Sequence, residues 1–339
     1  MPGDRTMEQT DSIIALNRDV EPFVIQASAT RSEFFKSKFN DPFKPLTFVH
    51  LSDVHFVLEA WNRMVEYVNH YHEFIQFAIH TGDYCGNSQA VYSDCYGEGD
   101  PCVRPILNCV GNHDTIKTKF ETERQPKETT HALLFNHTED WNVTFLDCPH
   151  SMSYHKDFDD SNVRLIVLDL YYDLELQQKW LQELLDEAKE KGLCVITAMH
   201  QPTAEVRDTY GVTFHTPNDY ETLCGAHAPI VFEAQIAKFI QSGGCHVCNL
   251  AGHLHHDRFG LTDAGVLNVC VPCATNWEKW CDGKRVKGTR TFDCFNVVSI
   301  DANLGHLKLV RIGDNVDHHL RVKRALCFDY KNRRVISNS

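Results

Sequence analysis

The sequence predicts an α/β protein built from two packed sheets with helices outside them. Two observations carry this. Strand-length apolar runs alternate with helical stretches through the first two thirds of the chain, and after that the helices stop and only turn-linked strands remain. In order, LTFVHLSD from residue 46 reads as a buried strand ending in a polar turn, and residues 60–72 read as a helix. FIQFAIHTGDY and PILNCVGNHD are two further strands, each running into a polar loop at its C-terminal end, and residues 116–140 read as mainly helical. VRLIVLDL is a strand. Residues 174–192 form an amphipathic helix with Leu176, Trp180, Leu181, Leu184 and Leu185 on one face and Gly192 as its stop. CVITAMHQP is a strand, 229–242 a helix, and HVCNLAGHLHHD a strand entering another polar turn. GVLNVCVP, FNVVSI, GHLKLVRI and ALCFDY close the chain as strands.

Without internal repeats or a low-complexity linker, residues 45–339 read as one domain. Residues 1–44 differ in composition, with a helix expected over 28–39. They read either as an arm packed on the domain or on another subunit of a homo-oligomer, or as a frayed tail with one surface helix.

With 339 residues and 42% apolar side chains, the chain is long enough for a sizeable core. The net charge of -13, from 46 acids against 33 bases, disfavours non-specific nucleic-acid binding, because an acidic surface repels phosphate backbones. A nucleotide in a local pocket stays compatible with that charge, since bound cations reverse the local field. No apolar run reaches the roughly eighteen residues of a membrane span, and the polar N-terminus lacks a signal peptide's apolar core, so a cytoplasmic protein with reduced thiols is expected. In that compartment the sequons at Asn136 and Asn142 carry no meaning, and Cys95 and Cys102, flanking a Gly-rich loop, stay unpaired. Of the fourteen cysteines, Cys245 with Cys248 and Cys270 with Cys273 form two CxxC pairs. Both fall in strand-like segments, where positions three apart point to opposite faces, so core thiols are expected rather than a structural zinc site.

Five segments concentrate chemistry: Asp53-Val54-His55, Gly82-Asp83, Gly111-Asn112-His113-Asp114, His200 within MHQP, and Gly252-His253-Leu254-His255. Nearly all follow directly on an apolar strand, and polar groups at the C-terminal ends of strands can converge on one crevice. Carboxylate, imidazole and amide oxygen together suit borderline or hard divalent ions. Asp53 and His55 alternate by two, as do His253 and His255, so on an extended strand end each pair faces one way. With twenty histidines in the chain a lone DxH or HxH means little; the ordered set carries the signal.

That ordered set resembles the calcineurin-like metallophosphoesterases, which share DxH, GD, GNH followed by Asp or Glu, a lone His, and GHxH. The resemblance spans about residues 47–257. It implies a four-layer α/β/β/α sandwich carrying two divalent metal ions (manganese, iron, zinc or magnesium). By that resemblance Asp53, His55 and His255 hold the first metal, Asn112, His200 and His253 the second, and Asp83 bridges them. It also implies that His113 is no ligand and faces a small phosphoester or nucleotide substrate. A hydroxide shared by cations about 4 Å apart would attack phosphorus, with His113 protonating the leaving oxygen. For Asp114 two roles stand, positioning the GNHD loop or His113, or acting as a simple turn residue.

Two departures bear on the subtype. Serine/threonine protein phosphatases of this superfamily extend GD into GDxVDRG, whereas Gly86 and Asn87 stand here at the places of their second Asp and their Arg, and LRGNHE is absent. A phosphodiesterase or nucleotide phosphohydrolase is therefore expected over a protein phosphatase. Loops 84–104, 203–228 and 275–292 are expected to select substrate. The last holds Trp277, Trp280, Lys284, Arg285, Lys287 and Arg290, of which Trp277, Arg285 and Arg290 are the candidate stacking and phosphate-binding groups; a solvated basic loop is the plainer reading. His256 and Asp257 follow the last motif as candidate outer-shell groups. A non-catalytic binding or assembly module that has kept the fold is the competing functional class, set against the complete ligand set.

Overall fold

The first strand, β1 (Leu46–Leu51), is buried along its whole length and lies mid-sheet, which is why LTFVHL reads as a continuous apolar run rather than an alternating one. The computed structural model describes residues 45–55, 58–84, 102–115, 125–135, 138–203, 206–208, 213–214, 227–255, 258–274, 294–313 and 325–338. The helix expected at 28–39, the Cys95 pairing, Gly86, Asn87, His256, Asp257 and the whole of loop 275–292 lie outside those residues.

The described elements follow in chain order. Helix α1 (Leu58–His70) precedes β2 (Phe77–His80), β3 (Ile106–Asn108) and α2 (Lys127–Leu134). Then come β4 (Thr144–Phe145), β5 (Tyr154–Phe158), β6 (Val163–Val167), α3 (Leu174–Lys191), β7 (Cys194–Ala198), β8 (Val206–Asp208) and β9 (Thr213–Phe214). After α4 (His227–Gln241) the chain runs through β10 (Cys245–Ala251), β11 (Arg258–Leu261), β12 (Leu267–Cys270), β13 (Cys294–Asp301), β14 (His306–Gly313), β15 (Ala325–Asp329) and β16 (Arg334–Asn338).

They form a seven-stranded sheet, β16-β15-β14-β13-β1-β2-β3, and a nine-stranded sheet, β4-β5-β6-β7-β10-β12-β11-β8-β9. β1, β2 and β3 run parallel in the first; β6, β7, β10 and β12 run parallel in the second. The sheets meet face to face. Phe77 of the first stacks on Phe158 of the second at 5.1 Å, Phe259 meets Phe328 edge-on at 5.4 Å, and the Tyr154 hydroxyl donates to the Asn108 carbonyl at 2.9 Å. Helix α1 covers the first sheet with Trp61, Met64, Val65 and Val68, the i, i+3, i+4, i+7 spacing of one face. Helices α3 and α4 lie side by side on the second. This is the expected four-layer α/β/β/α sandwich.

Where described, residues 116–140 are mainly helical as expected: α2 starts after Pro126, which disfavours helical backbone at the residue before it, and Glu139–Trp141 is a single 3-10 turn. Two local expectations change. In α3, Leu181, Leu184 and Leu185 are buried as expected and Gly192 ends the helix in a left-handed conformation (φ 69°), but Leu176 is 51% exposed. Its place on the inner face goes to Gln177, whose Oε1 accepts from Asp169 N and Ser153 Oγ and whose Nε2 donates to the carbonyls of Asp169 and Tyr172. Four hydrogen bonds make that buried amide favourable where an apolar residue was expected. Finally, β10 carries a bulge between His246 and Cys248. It sets Cys245 and Cys248 opposite Cys194 and Ile196, which alternate by two, so these two thiols share a face rather than opposing each other.

Candidate metal centre between the two sheets

All five segments leave the C-terminal ends of parallel strands. Asp53 lies two residues past β1, Asp83 three past β2, Asn112 four past β3, His200 two past β7, and His253 two past β10. Loop-to-loop backbone bonds tie these ends together: Asp53 N donates to Gly82 O at 3.0 Å, His55 N to Asp83 O at 3.3 Å, and Gly252 N to His200 O at 2.9 Å. Gly252 is required sterically, because a Cβ there would overlap Ser52 Oγ and Asp53 Oδ2.

The DxH and HxH pairs do not lie on extended backbone, as expected from their spacing. Asp53 (φ 54°), His55 (41°), Asp83 (60°), His253 (62°) and His255 (57°) are all left-handed. Each strand has already ended, and the alternate residues reach one side by turning. Left-handed backbone at a non-glycine residue costs on the order of 1–3 kcal/mol and persists where surrounding structure enforces it, which is characteristic of functional sites.

The side chains converge in two adjoining groups. In one, Asp53 Oδ1 lies 3.2 Å from His255 Nε2 and 3.7 Å from His55 Nε2, and the two imidazole Nε2 atoms face each other at 3.2 Å. In the other, Asn112 Oδ1 lies 3.0 Å from both His200 Nε2 and His253 Nδ1. Asp83 Oδ2 sits between them, 3.2 Å from His200 Nε2 and 3.8 Å from His55 Nε2. Potential ligand atoms of Asp53, His55, Asp83 and His255 fall within 4.8 Å of one another, as do those of Asp83, His200 and His253.

Electrostatics favour cations here. Burial opposes the charge on Asp53, yet His255, His55 and His200 hold its carboxyl well below the usual carboxylate range. Burial likewise opposes the charge on Asp83, and His200, His113 and His55 outweigh it. Burial alone would lower His200, but Asp83, then Asp53 and the Thr81 carbonyl, raise it to about 9; Thr81 O accepts from Nδ1 at 2.7 Å. His253, buried beside His200, drops to about 3. Asp53 Oδ1 is buried and accepts no hydrogen bond of normal geometry despite its close imidazoles. Two ionised carboxylates, an orphaned carboxylate oxygen and inward-facing ring nitrogens fit divalent cations of borderline or hard character.

The Asp114 carboxylate reaches the backbone of two loops. Oδ2 accepts from Asp83 N (2.9 Å) and Gly111 N (2.8 Å), and Oδ1 from Tyr84 N (3.0 Å). One buried carboxylate thus clamps the GD turn to the GNHD turn. His113 N donates to Asp83 Oδ1 at 2.9 Å, and its ring meets His55 edge-on at 5.1 Å. Asp83 pulls the His113 pKa up, but burial and the imidazoles of His55 and His200 outweigh it and leave it lowered.

Sequence reasoning missed Cys273. Its thiol donates to Asp53 O at 3.2 Å, and Sγ lies within 4.8 Å of ring nitrogens of His55 and His255. Nothing in VLNVCVPCA marks it, because its place depends on β12 lying next to β10. Trp277, Arg285 and Arg290 lie outside the described residues.

The chain matches the sequence profile of the calcineurin-like phosphoesterases over residues 46–257. The crystal structure of a dimetal phosphatase from Danio rerio is similar at TM-score 0.52 and 13% identity, covering 80% of this chain and 97% of that one. An archaeal phosphodiesterase structure aligns at TM-score 0.32 and 13% identity over 79% of this chain and 100% of its own. No curated protein matches in sequence. No helix among the described residues is long and apolar enough to cross a membrane. With the profile spanning most of the chain and the Danio rerio phosphatase sharing its fold, the chain belongs to the calcineurin-like phosphoesterase family and is a hydrolase of phosphoric ester bonds.

Proposed function

We propose that this hydrolase holds two divalent cations between its sheets and cleaves a small phosphodiester or nucleotide substrate in the cytoplasm. The observation that carries the reading is Asp83, one carboxylate within 4 Å of an imidazole in each ligand group. Asp53, His55 and His255 would hold one cation and Asn112, His200 and His253 the other, with Asp83 placed between the two groups. Such cations would supply Lewis-acid polarisation of the ester and an activated water nucleophile.

The chain's own residues do the rest. Thr81 O, accepting from His200 Nδ1, fixes that ring so that Nε2 faces the cation. Asp114 holds Asp83 and the GNHD turn in register. His113, outside both ligand sets, delivers a proton to the leaving oxygen. Gly86 and Asn87, at positions where protein phosphatases carry Asp and Arg, argue for a small-molecule substrate over a phosphoprotein. The cytoplasmic part of the reading rests on a cysteine-rich chain whose described cysteines are all free.

An assay of an aryl phosphate and a bis-aryl phosphodiester with added manganese tests the reading. Manganese-dependent turnover, faster on the diester, is expected. Turnover unaffected by a chelator overturns the metal assignment, and preference for the monoester overturns the substrate class.

A further inference from the structure

Far from the metal cluster, the opposite ends of β7 and β10 bring two thiols together. Cys194 and Cys245 are register partners on adjacent parallel strands. Neighbouring strands run about 4.8 Å apart, inside the roughly 4.4–6.8 Å Cα window that a disulfide needs. The Cys245 thiol already donates to Cys194 Sγ at 3.0 Å. Cys194 is buried and Cys245 partly exposed, so one sulfur is open to solvent and the other waits behind it.

The surroundings favour a thiolate. The Tyr330 hydroxyl donates to Cys194 Sγ at 3.4 Å. Lys331, anchored through Nζ on the carbonyls of Ala302 (3.0 Å) and Asn303 (3.3 Å), adds positive charge, and Arg333 Nη1 is buried without a hydrogen bond nearby. The bond from Cys245, together with Tyr330 and Lys331, lowers the Cys194 pKa against the effect of burial, while Cys245, as the donor, is raised. Low-pKa thiols in electropositive pockets are the reactive ones.

We propose that Cys194 and Cys245 form a reversible dithiol–disulfide couple oxidised by a small-molecule disulfide. Cys245, the more exposed sulfur, hands its proton to the Cys194 thiolate that its S–H already faces and attacks glutathione disulfide. The glutathione S–S bond breaks, and one glutathione thiolate leaves and takes up from solvent the proton that Cys194 had released. Cys194 then gives up the proton it received and attacks Cys245 Sγ, forming the Cys194–Cys245 bond and expelling the second glutathione, which takes that proton. Two protein thiols are oxidised and one glutathione disulfide is reduced to two thiols. The product staples β7 to β10, the strands leading to His200 and to His253 and His255, and closes a loop of 51 residues.

The test equilibrates the full chain in glutathione redox buffers, quenches it by alkylation, digests it without reduction and maps the peptides by mass spectrometry. Expected is a Cys194–Cys245 cross-link, lighter by two hydrogens, that forms at a more reducing ratio than any other pair and is reversed by dithiothreitol. Oxidation should raise Tm by roughly 5 °C, since the loop closure restricts the unfolded chain. Cys245→Ser should abolish the cross-link and the Tm rise, while Cys109→Ser, at a buried thiol elsewhere, should change neither. Separate alkylation of Cys194 and Cys245 after exposure to fully oxidised glutathione overturns the proposal. So does Cys245 found only as a glutathione adduct, or paired with Cys248. The wild-type mapping decides the matter even if a variant fails to fold.

Discussion

The two sheets contribute unequal chemistry to one cluster. The seven-stranded sheet sends Asp53, Asp83 and Asn112 from β1, β2 and β3, so it supplies every oxygen donor, with His55 beside them. The nine-stranded sheet sends imidazoles, His200 from β7 and His253 and His255 from β10, with the Cys273 thiol after β12 beside them. Neither sheet alone carries a complete ligand group, since each of the two groups draws on both. The first sheet's loops are held mainly by Asp114 and backbone bonds, whereas His253 N hangs from the first sheet's own Asp53 Oδ2 at 3.0 Å. The oxygen-donor side is thus built within one sheet, and the imidazole side is positioned by packing against it.

The sharpest way to break this division is Asp83→Asn. It removes the carboxylate shared by both groups and leaves the buried His200 cation without its partner. Turnover should fall by about 10³-fold or more, both metals should weaken, and the metal-free protein should lose about 3 kcal/mol. Near-normal turnover would show that Asp83 does not join the two sides.

Next in size is His113→Ala. Loss of a proton donor should cost about 10²-fold or more in kcat, less for substrates with good leaving groups, with metal content intact by elemental analysis. Metal loss along with activity makes His113 a ligand of the oxygen-donor side and contradicts its role.

Asp114→Asn probes the clamp. The amide cannot accept from all three backbone N–H groups, so metal affinity should fall about 10-fold and stability by about 1–3 kcal/mol. Retained affinity would mean that backbone bonds alone hold the first sheet's loops.

The smallest effect is a pH dependence on the imidazole side. His200 is raised from 6.5 to about 9, so in the metal-free protein it carries a proton that metal must displace. Manganese affinity, measured by calorimetry, should therefore rise about tenfold per pH unit from about pH 6 to about pH 9, with close to one proton released. By the same sign, the His200–Asp83 attraction stabilises the metal-free fold fully below pH 6.5 and fades as pH climbs through about 9. A flat affinity profile contradicts a protonated His200.

Much of this was legible in sequence for a physical reason. The candidate ligands are chemically distinctive, they come in a fixed order of motifs along the chain, and nearly all follow an apolar run that marks a parallel strand's end. What was not legible depends on backbone direction and tertiary neighbours. Spacing alone suggested extended DxH and HxH pairs, but their reach comes from left-handed residues after the strands have ended. Asp114 read equally as a turn residue because its three donors come from two separate loops. The bulge that aligns Cys245 with Cys248 leaves no mark in CHVC, and the inner-face position expected for Leu176 goes to Gln177 because of four tertiary partners that the sequence does not show.

The most direct measurement is anomalous diffraction from crystals grown with manganese. Two peaks about 4 Å apart are expected between the sheets, one touching Asp53, His55 and His255, the other Asn112, His200 and His253, with Asp83 reaching both. A single peak, or two peaks of which Asp83 touches only one, would contradict a cluster jointly built by the two sheets.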